Sequence, residues 1–333
     1  MTERAVVVGS GVAGLCVATE LAARGVAVEL RDRAGGPGPH GCSWWAGGML
    51  APFCEGESAE EPVTRLGLEA ADWWAARGAE VRREGTLVVA LARDRRELDR
   101  FARRTEGGRA LDAAALAKME PDLEGRFNRA LFFREEAHLD PRRALAALRD
   151  RLAAAGATFT TGEGAGEAPG PVPTPVFDCR GLAARDALRD LRGVKGEMVA
   201  LRAPDVALGR PVRLLHPRFP LYIVPRGDGV FMLGATQIES ADRRRATVRS
   251  ALELLSAAYA LHPAFGEAEI LEIGVDARPA FPDNLPRIRR RGGVIHVNGL
   301  FRHGFLLAPA LARMAADLAL EDVRPEVMDE DRR

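Results

Sequence analysis

The chain has almost no lysine: Lys118 and Lys195 stand alone among 47 basic residues. The 47 acidic residues cancel the basic ones, so no global field favours nucleic acid or an anionic membrane. Cysteine is scarce too. Cys16, Cys42, Cys54 and Cys179 show no C-x-x-C pairing and no histidine in zinc-ligand spacing, which points to a reduced, cytoplasmic setting without a structural metal. His138, His216, His262 and His296 have no spacing that suggests a triad or metal site, and are expected to be structural or solvated. No apolar run approaches the roughly 20 residues that span a bilayer. The run in "MTERAVVVGSG" is too short and Gly-broken for a signal peptide. The basic runs "RRR" at 243–245 and "RIRRR" at 287–291 lack interleaved aromatics and read as solvated loops.

What is present is the composition of an ordinary soluble protein, 47% hydrophobic and 28% charged, long enough at 333 residues for two domains. Arg4–Arg33 reads as strand, turn, helix, strand. Ala5–Val8 is continuously apolar, as a buried parallel strand is. Gly9, Gly11 and Gly14 follow as G-x-G-x-x-G: the first for the tight turn, the second for a pyrophosphate against the backbone, the third for helix packing. Gly25 is placed to close the helix. Asp32 ends the next strand, where a carboxylate holds a ribose hydroxyl. Glu29 is the weaker candidate because it lies mid-strand.

Residues 33–57 are turn-rich and lack a helical period, yet carry Trp44, Trp45, Met49, Leu50 and Phe53, too apolar for a solvated loop. Small residues at Ser43, Ala46, Gly47 and Gly48 leave backbone free to lie against a flat ligand. A buried isoalloxazine explains the stretch better than a nicotinamide dinucleotide does.

The fingerprint, "CSWWAGGMLAP", "HLDP" at 138–141, "DCRGLAAR" at 178–185, "VKGE" at 194–197, "YIVPRGDGVFMLGATQIES" at 222–240, "DARPAFPDNLPRI" at 276–288 and "NGLFRHGFLLAP" occur in family order. Together they resemble the D-amino-acid oxidase superfamily of flavoproteins, and within it the glycine oxidases of thiamine biosynthesis. Two departures stand out. Paired tryptophans replace small residues of the flavin loop, and the strand usual near 157–175 is replaced by a Gly- and Pro-broken stretch.

The resemblance implies an α/β fold: a Rossmann-like FAD-binding domain from 1–80, 142–193 and 274–333, and a substrate domain with a mixed, largely antiparallel sheet from 81–141 and 194–273. It implies non-covalent FAD held by Gly9, Gly11, Gly14, Asp32, Arg33, Ser43, Gly47, Gly48, Met49, Gly181, Gly299, His303, Gly304, Phe305 and Leu306. Arg278 would hold the substrate carboxylate, with Tyr222 donating to it and Gln237 lining the pocket. The alternative for Arg278 is an ion pair with Asp276 or Asp283. Tyr222 could equally be a core residue. Arg302 and His303 stand at the positive end of a helix, where two cations ask for an anion. The resemblance supplies the reduced flavin or the substrate, with Arg302 the one expected to reach the substrate.

The implied reaction is hydride transfer from a small amino acid to FAD, hydrolysis of the imino acid to a 2-oxo acid and ammonia, and reoxidation by O2 to hydrogen peroxide. The imine would feed thiazole formation. Sarcosine or another D-amino acid is the alternative substrate, and a non-catalytic dinucleotide-binding module the alternative of another class. The family tends to homo-oligomers.

Further along, strands are expected at 85–93 and 129–140, helices at 95–104, 111–119, 141–155 and 248–261, and strands at 196–203, 221–227 and 229–236. Asp228-Gly229 would turn the hairpin between the last two. Trp73 and Trp74 are expected to pack a core or an interface.

Overall fold

A computed structural model describes residues 4–162, 164–165, 174–216 and 220–329. The first strand, Arg4–Val8, lies inside a six-stranded sheet ordered Arg287–Arg291, Val294–Asn298, Val176–Asp178, Arg4–Val8, Ala27–Asp32, Thr158–Thr161. Neighbours are parallel except the first pair, which is an antiparallel hairpin. The first strand is apolar throughout because both its faces are covered. Ala5 and Val7 pack into the main core, Val6 and Val8 against Val176 and Val294.

Gly9 turns the chain at φ 100°, and a Cβ on Gly14 would strike the Gly9 carbonyl. That close approach lets the helix Val12–Ala23 leave the strand directly. The helix packs on Gly304–Glu321, the last helix, which is itself buried on most sides. Pro309 sits inside that last helix and cannot donate to the carbonyl of Phe305 four residues back. The Trp74 indole Nε1 donates to that carbonyl instead, at 2.8 Å, and its ring stacks on Phe305 at 5.3 Å. Trp74 is therefore core, as its sequence context suggested.

The second sheet is mixed. Its order is Ile238–Glu239, Arg192–Arg202, Val230–Gly234, Leu221–Gly227, Val212–Leu215, Thr86–Ala90, Arg129–Phe133, Arg109–Asp112, and the long strand Glu269–Ala280 pairs with Arg192–Arg202. All pairs are antiparallel except Val212–Leu215 with Thr86–Ala90. Asp228 (φ 52°) and Gly229 (φ 68°) turn the expected hairpin. A small third sheet joins Met49–Leu50, Ala137–Leu139 and Val81–Arg82.

The local expectations change in five places. The strand expected over 129–140 is two, broken at Arg134–Glu136, and the pieces enter different sheets. The helix expected from 111 starts at Ala113, because Asp112 ends a strand and caps the helix by accepting from Ala115 N at 2.8 Å. The turn-rich stretch 33–57 holds a 3₁₀ turn, Cys42–Trp45, and a short helix, Pro52–Glu55. "RIRRR" is a buried strand rather than a solvated loop: Ile288 is in the core, and Arg289 lies over Phe281 with both Nη atoms on Asp190. Finally, the strand Glu269–Ala280 runs unbroken through residue 274, so the chain leaves the second sheet only after Ala280.

Within 157–175, Thr158–Thr161 is an edge strand beside Ala27–Asp32. Residues 163 and 166–173 lie outside the described ones. Among the described residues, no helix is long and apolar enough to cross a membrane.

Candidate functional site

One cleft of about 850 Å³ runs from the glycine-rich turn to the second sheet. Its nucleotide end is lined by Gly9, Gly11, Asp32, Arg33, Ser43 and Gly181. Asp32 is held there by Ser10, whose N–H and hydroxyl donate to Oδ2 at 2.8 and 2.6 Å. Glu29 is spent elsewhere, accepting from Arg4, Arg31 and Thr160. Hydrogen bonding from Arg31 holds its carboxyl down at about 2. Of the two acids, Asp32 is the one that faces the cleft.

The helix Val12–Ala23 begins with no side-chain cap at Gly11, and its Val12 amide is met by the Ser43 hydroxyl at 3.0 Å. The flavin-loop stretch is fastened by a half-buried guanidinium: Arg226 donates to the carbonyls of Ala46, Gly47 and Leu139. Burial lowers the Arg226 pKa to about 10. Gly47 leaves room for the Tyr222 ring, which a Cβ there would meet at 2.6 Å. The paired tryptophans line the cleft. Trp45 packs over Gly274, and Arg142 lies across both rings.

At the far end the cleft is lined by Met49, Tyr222, Gln237, Arg278, Arg302 and His303, with Gly304, Phe305 and Leu306 at the start of the last helix. Gly14 and Gly299 are not among the lining residues. Gly14 serves helix packing, and Gly299 (φ 78°) faces the Phe281 ring.

Arg278 lacks the ion pair that the structural alternative required. Asp276 pairs with Arg243 and Asp283 with Arg287. Among the described residues, the Arg278 guanidinium makes one hydrogen bond, to the Thr236 carbonyl at 3.2 Å. Tyr222 is half-buried, and among the described residues its hydroxyl meets the Met198 sulfur, at 3.6 Å. Burial pushes that hydroxyl's pKa up, against the pull of Arg278.

Arg302 and His303 receive an anion that the sequence did not suggest. Glu55 lies 2.8 Å from Arg302 Nη2 and 3.3 Å from His303 Nδ1, and accepts from Arg213. Burial would raise the Glu55 carboxyl, but Arg302 and Arg213 outweigh it and hold it well below the usual carboxylate range. Burial brings His303 down to about 4, so at neutral pH the expected cation pair is one cation and a neutral imidazole. Arg302 donates to Ser58 as well, while still lining the cleft.

Arg213 and Glu55 were missed in the sequence. The available signal was an arginine inside the apolar strand "VRLL". The "RRR" stretch is an exposed loop as expected, although Arg243 bonds Asp276 and the His40 carbonyl across the cleft's edge. His296 is buried on Asp178 and His138 is buried as well, while His262 accepts from Ala264 N.

These residues fit FAD. A strand-end acid and an uncapped helix start face one end of the cleft, and the last helix presents a second uncapped start at the other. The DAO family profile, described as FAD dependent oxidoreductase, matches residues 4–318. A Rhizobium etli protein named as the thiamine biosynthesis oxidoreductase ThiO is 58% identical over 97% of this chain and 98% of its own length. The glycine oxidase of Pseudomonas aeruginosa is 28% identical over 96% of this chain and 95% of that protein. The solved glycine oxidase from Bacillus cereus has a TM-score of 0.81 at 22% identity, covering 97% of this chain and 96% of the other. The chain belongs to the DAO family of FAD-dependent oxidoreductases, and FAD is its cofactor.

Proposed function

We propose that the chain oxidises glycine, or an amine as small, with water and O2 to glyoxylate, ammonia and hydrogen peroxide. One observation carries the reading: Arg278 presents a guanidinium with no carboxylate partner among the described residues to a cleft that Tyr222 also lines. A planar fork of donors suits a substrate carboxylate, and it stays charged when desolvated. Bound in this cleft without a covalent link, FAD supplies the two-electron acceptor.

The protein's own part is orientation and exclusion of water, with no dedicated acid or base. Arg278 and Tyr222 fix the carboxylate. Arg302, tied to Glu55, steadies the start of the last helix instead of reaching substrate. Gln237 borders the pocket from its exposed side. The first sheet with its helices would form the FAD-binding domain and the second the substrate domain.

The thiamine-pathway name of the Rhizobium relative supports a role in supplying the imine for thiazole formation. A cytoplasmic homo-oligomer belongs to the same proposal and rests on the family resemblance alone. The test is the visible spectrum of the FAD-loaded protein under anaerobic glycine. Bleaching, then recovery with peroxide on an oxygen pulse, is expected. Bands that stay unbleached by glycine, sarcosine and D-alanine alike would overturn the reading.

A further inference from the structure

The stretch Lys195-Gly196-Glu197 has no part in the reaction outlined above, yet two of its residues are a buried ion pair. Lys195 is one of the chain's two lysines and is 4% exposed, and Glu197 is 0% exposed. All three lie on the strand Arg192–Arg202, beside the strand that carries Arg278. In that pairing Val194 opposes Arg278 and Gly196 opposes Asp276. Gly196, Met198, Asp276 and Arg278 line the cleft, so the alternation of a strand turns Lys195 and Glu197 to the reverse face.

From that reverse face Glu197 reaches Thr236, just past the strand Val230–Gly234. The Thr236 hydroxyl donates to Glu197 Oε2 at 3.1 Å and accepts from Glu197 N at 2.9 Å. The Thr236 amide donates to the Glu197 carbonyl at 3.3 Å. Three bonds thus fix Thr236, and its carbonyl is the acceptor for Arg278. The other Glu197 oxygen accepts from Thr247 N at 3.2 Å and lies 3.3 Å from Lys195 Nζ. Gly196 completes the arrangement, because a side chain there would collide with the Arg278 guanidinium.

We infer that Glu197, acting through Thr236, is a positioning residue that sets the angle of the Arg278 fork in the cleft, with Lys195 as its counter-charge and Gly196 as the floor on which the fork lies. The inference rests on the proposed role of Arg278. Its physical basis is that a guanidinium with a single protein hydrogen bond takes its orientation from that acceptor and from the surface beneath it. A buried, fully bonded carboxylate is a rigid way to place that acceptor.

The test is glycolate, which is glycine with a hydroxyl in place of the amine, titrated into FAD-loaded protein and followed by perturbation of the flavin visible band. Thr236→Val keeps the shape and the carbonyl but loses both hydroxyl bonds. It is expected to weaken glycolate binding about tenfold, while Thr236→Ser restores it to within about twofold and FAD affinity stays unchanged in both. In the Arg278→Lys background the Thr236→Val change is expected to have no further effect, the non-additivity of two residues that act as a unit.

Wild-type glycolate affinity in Thr236→Val, or an equal loss with and without Arg278, would overturn the inference. Glu197→Gln is the second variant, expected to weaken glycolate binding in the same direction, and unaltered affinity there also counts against the positioning role. If Arg278→Lys alone binds glycolate as the wild type does, the carboxylate reading of Arg278 fails first and the positioning role falls with it.

Discussion

Arg302 Nη2 lies 2.8 Å from Oε2 of Glu55, so the charge at the start of the last helix is neutralised from within the protein. The same carboxylate accepts from Arg213, which joins three distant stretches of chain at one point of the cleft wall. Glu55→Gln leaves Arg213 and Arg302 without their shared anion. Breaking a buried pair from one side costs about 3–5 kcal/mol. Denaturant unfolding of the FAD-loaded protein should show a loss near the lower figure, since Arg302 is about one-third exposed. A midpoint that does not move would mean that Glu55 is not the anchor described here.

Arg278→Lys keeps the charge and removes the fork. A hydrogen bond to a charged group contributes about 1.5–3 kcal/mol, so the KM for glycine should rise roughly 10- to 150-fold. FAD affinity should be unchanged, because the substitution leaves the nucleotide end of the cleft alone. Unaltered KM would assign the carboxylate to another residue.

The nucleotide end was legible in the sequence because its signals are local. A strand, three glycines, a helix and a terminal acid fall within one short stretch, and Asp32 could be preferred to Glu29 by strand position alone. The substrate end is a different matter. Glu55, Arg213 and Arg302 are brought together only by the fold, and no periodicity links them. "RIRRR" was misread because charge was weighed above alternation, although Ile288 between two arginines marks a strand with one buried face. The Trp44–Trp45 pair looked like a change to the pocket, and both residues line it, with Trp45 seated where Gly274 leaves room.

Trp74→Phe tests the core of the last helix. The ring stack on Phe305 survives the change, but the Phe305 carbonyl, denied its usual partner by Pro309, loses the indole donor. An unsatisfied buried acceptor costs about 1–3 kcal/mol. The melting temperature should fall accordingly. Adding Pro309→Ala, which restores a helix amide, should recover part of the loss. Additive losses from the two changes would sink this account.

The dependence of stability on pH follows from two buried histidines. Burial, then Arg226 and Arg82, lowers His138 to about 3, and burial lowers His303 to about 4, both from an ordinary 6.5. Neither ring nitrogen of His138 has a hydrogen-bond partner among the described residues. Because the folded values lie below the unfolded one, the unfolded chain binds more protons once the pH drops under about 6.5. Their contribution is complete above that pH and is lost as the pH falls toward 4 and then 3. Each histidine adds a slope of up to about 1.4 kcal/mol per pH unit in that window. The Glu29 and Asp178 carboxyls, held at about 2, act in the same direction only at lower pH. Glu136 and Asp276, raised by burial, oppose it. Urea midpoints should therefore fall between pH 7 and pH 4.5, and His138→Leu should flatten the fall without lowering the value at pH 7. Equal slopes for wild type and His138→Leu would show that His138 is already charged in the folded protein.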